Sequence, residues 1–129
     1  SSHCYEGNEN DKNKHFTFHE QIDNIASLML SADLAIGSTG ITTWERCCLG
    51  LPAIVSISAN NQRDTANELS KKKCIINLGD VKKLKETNYL KAIINIKKND
   101  LRNMSKNSLR VVDGNGTQRI LKHILLIGK

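Results

Sequence analysis

The run Ala32-Asp33-Leu34-Ala35-Ile36-Gly37-Ser38-Thr39-Gly40-Ile41-Thr42-Thr43-Trp44-Glu45-Arg46 constrains the fold more than any other stretch of the chain. A short apolar segment, Leu34 to Ile36, leads into a loop of glycines and hydroxyl residues. That loop opens a segment with two threonines and an acid, Glu45, near its start. Strand, small-residue loop and helix start in immediate succession make a place for an anion. The first N–H groups of a helix have no partner within it, and the helix dipole favours negative charge there. Gly37 and Gly40 let a diphosphate approach the backbone closely, and Ser38, Thr39, Thr42 and Thr43 add donors. No Gly-Lys-Ser/Thr follows, so the pattern is not a P-loop, and it is not the dinucleotide glycine fingerprint either. An ordinary βα turn with a threonine N-cap explains the same residues equally well at this point.

The flanking sequence alternates strand and helix. His15–His19 has period-two alternation, and apolar residues from Ile22 to Leu30 mark a helix before the Asp33–Gly37 strand. Thr42–Gly50 reads as a helix closed by Gly50, with Pro52 as a stop signal. Ala53-Ile54-Val55-Ser56-Ile57 is a nearly continuous apolar run suited to a buried parallel strand. The turn Ser58–Gln62 leads into a helix from Arg63 to Lys72, and Cys74–Leu78 is a fourth strand stopped at Gly79. Helices are expected over Val81–Ile96, Asp100–Val112 and Thr117–Ile127, with a break at Asp113-Gly114-Asn115-Gly116. The expected fold is α/β: a parallel sheet of about four strands with flanking helices in a single Rossmann-like domain. Ligands of such sheets sit at the carboxyl ends of the strands. The loops Gly37–Thr42 and Ser58–Gln62 and the turn after His19 are all expected at that edge.

Composition narrows the partners. The 129 residues suffice for one domain with a real core. Only 4% of residues are aromatic, which argues against base-stacking surfaces. Nineteen Lys and Arg against thirteen Asp and Glu give a net charge of +6, spread through Lys71-Lys72-Lys73, Lys82, Lys83, Lys85, Lys97 and Lys98 among interleaved acids. This reads as solvated helix faces rather than a nucleic-acid stripe, though a basic surface attracts an anionic nucleotide. No segment is long and apolar enough to span a membrane and no signal peptide is visible, so a cytoplasmic setting is expected. Cys4, Cys47, Cys48 and Cys74 lack disulfide-scaffold spacing and fit reduced, buried thiols. His3, Cys4, His15 and His19 lack the knuckle spacing of a zinc site, and no metal or other cofactor is expected.

At Ala32–Pro52 the sequence ADLAIGSTGITTWERCCLGLP resembles the nucleotide-binding half of glycosyltransferase-B-type proteins. Within these it is most similar to the UDP-sugar hydrolases of pseudaminic acid biosynthesis, which release UDP and free 2,4-diacetamido-2,4,6-trideoxy-altrose without a metal. Trp44–Pro52 is the most characteristic stretch. Asn60-Asn61-Gln62-Arg63, Ile76-Asn77-Leu78-Gly79 and Asp113-Gly114-Asn115-Gly116-Thr117 fall where that family has similar motifs. The likeness covers about residues 16 to 127 and extends more weakly to the N-acetylglucosaminyltransferases of peptidoglycan synthesis.

The resemblance implies that Gly37, Ser38, Thr39, Gly40, Ile41, Thr42 and Thr43 hold the UDP diphosphate. Glu45 would accept hydrogen bonds from the ribose hydroxyls, as a carboxylate with two acceptor oxygens can. Gln21 and Ile22 would lie against the uracil, and Asn61 and Gln62 would face the sugar or its phosphates. A capping role for Glu45 and turn-forming roles for the two amides are the alternatives. Trp44, Cys47 and Cys48 are expected to be packing residues. The family's catalytic histidine belongs to an N-terminal domain, and His3, His15, His19 and His123 do not match it, so no catalytic residue is expected in this chain. Ser1-Ser2 resembles the end of a second strand, which implies that a first βα unit and the N-terminal catalytic domain lie outside these residues. The missing strands would sit between His15–His19 and Asp33–Gly37. The chain alone is expected to bind UDP weakly and to leave UDP-sugar intact. A glycosyltransferase half and a non-catalytic nucleotide-binding module are the competing readings.

Overall fold

The computed structural model describes residues 25–112, with only the backbone described at residues 41 and 42. The expected strand at His15–His19, the residues Gln21 and Ile22 and the helix at Thr117–Ile127 lie outside that range. In chain order the described elements are α1 (Ile25–Ser31), β1 (Ala35–Ser38), α2 (Ile41–Cys48), β2 (Ala53–Ile57), a 3₁₀ turn (Asn60–Gln62), α3 (Arg63–Lys71), β3 (Ile75–Asp80), a second 3₁₀ turn (Val81–Lys83), α4 (Glu86–Asn95) and α5 (Lys98–Val111).

The three described strands form one parallel sheet in the order β1-β2-β3. β1 aligns Ala35 with Ala53 and Ser38 with Ser56, and β2 aligns Ala53 with Ile75 and Val55 with Asn77. The central strand is buried along its whole length, as its unbroken apolar run requires. Consecutive strands are neighbours here, so right-handed crossovers place α2 and α3 on the same face. The core agrees with that placement. Cys47 of α2 and Ala66 and Leu69 of α3 share one cluster with Ala53, Val55, Ile57, Cys74 and Ile75. Each buried Val, Ile or Leu side chain there contributes about 1.5–3 kcal/mol.

Local chemistry sets the element ends. α2 closes at Gly50, which takes φ +66°, a left-handed conformation that suits glycine. Its inward stripe is Thr43, Arg46, Cys47 and Gly50, a spacing of one to two helical turns. α5 presents Met104 and Ser108 inward at the same spacing, and Ser105 and Leu109 approach Gly50.

Beyond shifts of one or two residues at the ends of β1, α2 and α3, three boundaries differ from the sequence expectation in kind. β3 does not stop at Gly79 but continues to Asp80, with a bulge that shifts the pairing to Ile57–Asp80. Gly79 takes φ +92° and its amide donates to Asn77 Oδ1 at 2.9 Å, so this glycine makes a bulge rather than an end. The single helix expected over Val81–Ile96 is split. Asp80 Oδ1 accepts from the Lys82 amide at 3.0 Å and holds a 3₁₀ turn, after which Leu84 and Lys85 are extended. Asn88 Oδ1 then accepts from the Lys85 amide at 2.8 Å and starts α4 at Glu86. Likewise Asp100 does not open α5 but stands three residues inside its cap, accepting from the Lys97 amide at 2.9 Å.

Candidate functional site at the carboxyl edge of the sheet

Because all three strands are parallel, β1, β2 and β3 end at one edge, at Ser38, Ile57 and Asp80. The loop after β1 is tied to the end of β2. The Thr39 amide donates to the Ser56 carbonyl at 3.2 Å, and the Thr39 hydroxyl donates to the same oxygen at 3.3 Å. The loop after β2 folds back toward it. Ser58 Oγ donates to Gln62 Oε1 at 3.2 Å, which leaves the Gln62 amide nitrogen turned to Gly40. A methyl group on Gly40 would lie 3.7 Å from Gln62 Nε2. The first and second loops therefore approach each other at Gly40 and Gln62, with room for no more than a methyl group between them.

Gly40 is also the N-cap of α2. Its amide donates to Thr43 Oγ1 at 2.9 Å, and the Thr43 amide donates to the Gly40 carbonyl at 3.0 Å. The amides of Ile41 and Thr42, at the first two helical positions, have no intrahelical acceptor by geometry. They point out of the helix start toward the carboxyl edge, where the dipole favours an anion.

The sequence-derived residues divide into two groups. Gly37, Gly40, Glu45 and Gln62 are half-buried and Ser38 and Asn61 exposed, all six at the end of β1, on the edge loops or in the first turns of α2. Thr39 and Thr43 are each only 1% exposed, and their hydroxyls are engaged inside the protein. These two shape the loop from within instead of presenting side-chain donors. Trp44 is 47% exposed and is not the packing residue expected, whereas Cys47 is buried as expected and Cys48 is half-buried.

Two residues of the edge were missed from sequence. Ser58 orients the Gln62 amide. Arg46, only 8% exposed, reaches beneath the β1 loop, and its Nη2 donates to the Ser38 carbonyl at 3.2 Å. Its place on the inward stripe of α2, one turn after Thr43, was the available signal. Burial pulls the Arg46 guanidinium below its ordinary range, with Cys47 and Glu45 pushing partly the other way, and the group stays a cation.

Among the described residues, hollows open elsewhere, two of them larger. One of about 490 Å³ is lined by Ile75, Ile76, Ala92, Ile96 and Met104, and one of about 650 Å³ by Asp33, Pro52, Leu101 and Arg102. Both lie by residues that precede or begin strands, at the opposite edge from the loops. Among the described residues no group of three or more His, Cys, Asp or Glu is placed to hold a metal. No described helix is long and apolar enough to cross a membrane.

A parallel α/β sheet whose carboxyl edge joins a glycine-hydroxyl loop to a helix start is a Rossmann-like type of domain, a class whose ligands sit at that edge. Residues 2–124 match the glycosyltransferase family 28 C-terminal domain, and the chain belongs to that family. Over 69 residues it is 32% identical to the spore coat polysaccharide biosynthesis protein SpsG of Bacillus subtilis (strain 168). That alignment covers 54% of this chain and 20% of the relative, so the likeness spans about one fifth of the longer protein.

Proposed function

We propose that this domain is the nucleotide-binding half of a nucleotide-sugar enzyme of polysaccharide biosynthesis, that its nucleotide is UDP, and that the whole enzyme hydrolyses the sugar–phosphate bond. The observation that carries the reading is that the Gly37–Gly40 segment is bonded to the start of α2 and is approached by Gln62 from the loop after β2. Backbone amides at Ile41 and Thr42 face the diphosphate, with the exposed Ser38 beside them. Glu45, one turn further along α2, accepts from the ribose hydroxyls. Asn61 and Gln62 reach the sugar or its phosphates, and Gln21 and Ile22 lie against the uracil.

In this reading the chain supplies one of the three things hydrolysis needs. As the bond breaks, charge collects on the departing diphosphate, and oriented amides and a helix dipole stabilise it without reorganisation. The base for water and the grip on the sugar come from an N-terminal catalytic domain of the same protein. The hydrolase reading is supported by the Trp44–Pro52 resemblance. A sugar-transferring enzyme is the second reading, supported by the glycosyltransferase family to which the domain belongs. Both place UDP on the same loops. Amide-resolved NMR titration of the full chain with UDP tests that placement. Shifts confined to Gln21–Ile22, Gly37–Glu45 and Ser58–Gln62 are expected, and shifts centred on the hollow at Ile75 and Met104 would refute it.

A further inference from the structure

We propose that Arg46 is a positioning residue for the diphosphate loop, and that position 37 is glycine in order to admit its guanidinium. The proposal rests on the nucleotide-binding reading above. A Cβ at Gly37 would stand 3.2 Å from Arg46 Nη2, 3.8 Å from Cζ and 4.0 Å from Nη1. The guanidinium thus fills the side of Gly37 where a side chain would stand, while Nη2 donates to the next carbonyl, that of Ser38, at 3.2 Å. The end of β1 is held from beneath by one side chain.

The loop has three internal anchors in sequence order. Arg46 holds Ser38, the Ser56 carbonyl holds Thr39, and Thr43 holds Gly40. Only the first carries a charge. Burying a guanidinium costs stability that an apolar side chain of similar length would not. A buried cation directly under an anion-binding loop also raises the potential there, and salt screens it far less than a surface lysine. Lysine cannot replace it in both roles, because its ammonium is a compact point charge without the flat fork that spreads over Gly37. Arg46 therefore acts on the ligand through the loop and selects for the diphosphate rather than the nucleoside.

The test compares the full chain with Arg46→Gln and Arg46→Lys, titrated by NMR with UDP, inorganic pyrophosphate and uridine, with circular dichroism and urea unfolding to establish the fold. In Arg46→Gln the affinities for UDP and pyrophosphate are expected to fall by about tenfold or more while that for uridine changes by less than about twofold. Arg46→Lys is expected to recover only part of the UDP affinity. Equal losses for UDP and uridine would reduce Arg46 to a structural residue, and unchanged UDP binding would overturn the proposal outright. Should Arg46→Gln fail to fold, Arg46→Met, which keeps the length of the side chain without its charge or fork, carries the test and is expected to give the same selective loss. A wild-type chain that binds no UDP overturns the nucleotide reading and this inference with it. A wild-type chain that binds UDP while the variants match it overturns this inference alone.

Discussion

Gly40 and Thr43 close on each other across the first turn of α2: the Gly40 amide donates to Thr43 Oγ1 at 2.9 Å and the Thr43 amide returns to the Gly40 carbonyl at 3.0 Å. This reciprocal pair fixes where the loop ends and the helix begins, and so where the amides of Ile41 and Thr42 point. Thr43→Val keeps the shape but removes the acceptor, leaving the half-buried Gly40 amide without it. A loss of about 1 kcal/mol in unfolding free energy is expected from urea denaturation, comparable to loss of a helix cap.

Gly50 makes the sharpest stability prediction. Its φ of +66° disfavours any side chain, and an added Cβ would meet Ser105 Oγ at 2.9 Å and Leu109 Cγ at 3.2 Å. Gly50→Ala is expected to cost about 2 kcal/mol or more from backbone strain plus overpacking against α5. Adding Ser105→Ala to that variant removes the closest contact and is expected to restore part of the loss, leaving the backbone share, which unfolding midpoints of the two variants would separate.

The buried thiol of Cys47 gives the protein a defined alkaline limit. Burial, helped by the neighbouring Cys74 and opposed by a hydrogen bond with Ser108, pushes it from 9.0 up to about 11. A folded-state value above the unfolded one means that the native protein holds the proton more tightly. The contribution is then fully present below about pH 9 and is lost as the pH rises toward about 11. Its full size is on the order of 2–3 kcal/mol. Urea unfolding at about pH 8 and about pH 10.5 should show a smaller pH-dependent loss in Cys47→Ala than in the wild type, although the variant starts lower for want of packing.

Much of the fold was legible in the sequence, and for identifiable reasons. Ala53–Ile57 could only be a strand buried on both faces, and Gly50 followed by Pro52 could only end a helix. The edge where the loops meet followed from the alternation of strand and helix alone. What failed was punctuation by polar residues and glycine. Gly79 reads as a stop but supports a bulge, because Asn77 captures its amide. Asp80 and Asn88 break Val81–Ile96 by accepting from backbone amides two and three residues away, a competition that apolar spacing does not reveal. At the candidate site, sequence placed a loop between β1 and α2 but did not give the direction of its hydroxyls. Thr39 and Thr43 looked like ligand donors and are instead internal struts, while Arg46, a charged residue expected on a surface, lies beneath the loop.

Glu45 is the side chain on which the UDP assignment turns, since the loop amides would receive many anions but a carboxylate in that place suits ribose hydroxyls. Calorimetric titration of UDP into the full chain and into Glu45→Ala tests the assignment most directly. UDP affinity is expected to fall by about tenfold to a hundredfold in the variant, the loss of two hydrogen bonds to a charged acceptor. Equal affinity in the two proteins would contradict the ribose contact, and no UDP binding by the wild type would contradict the account of the carboxyl edge as a nucleotide site.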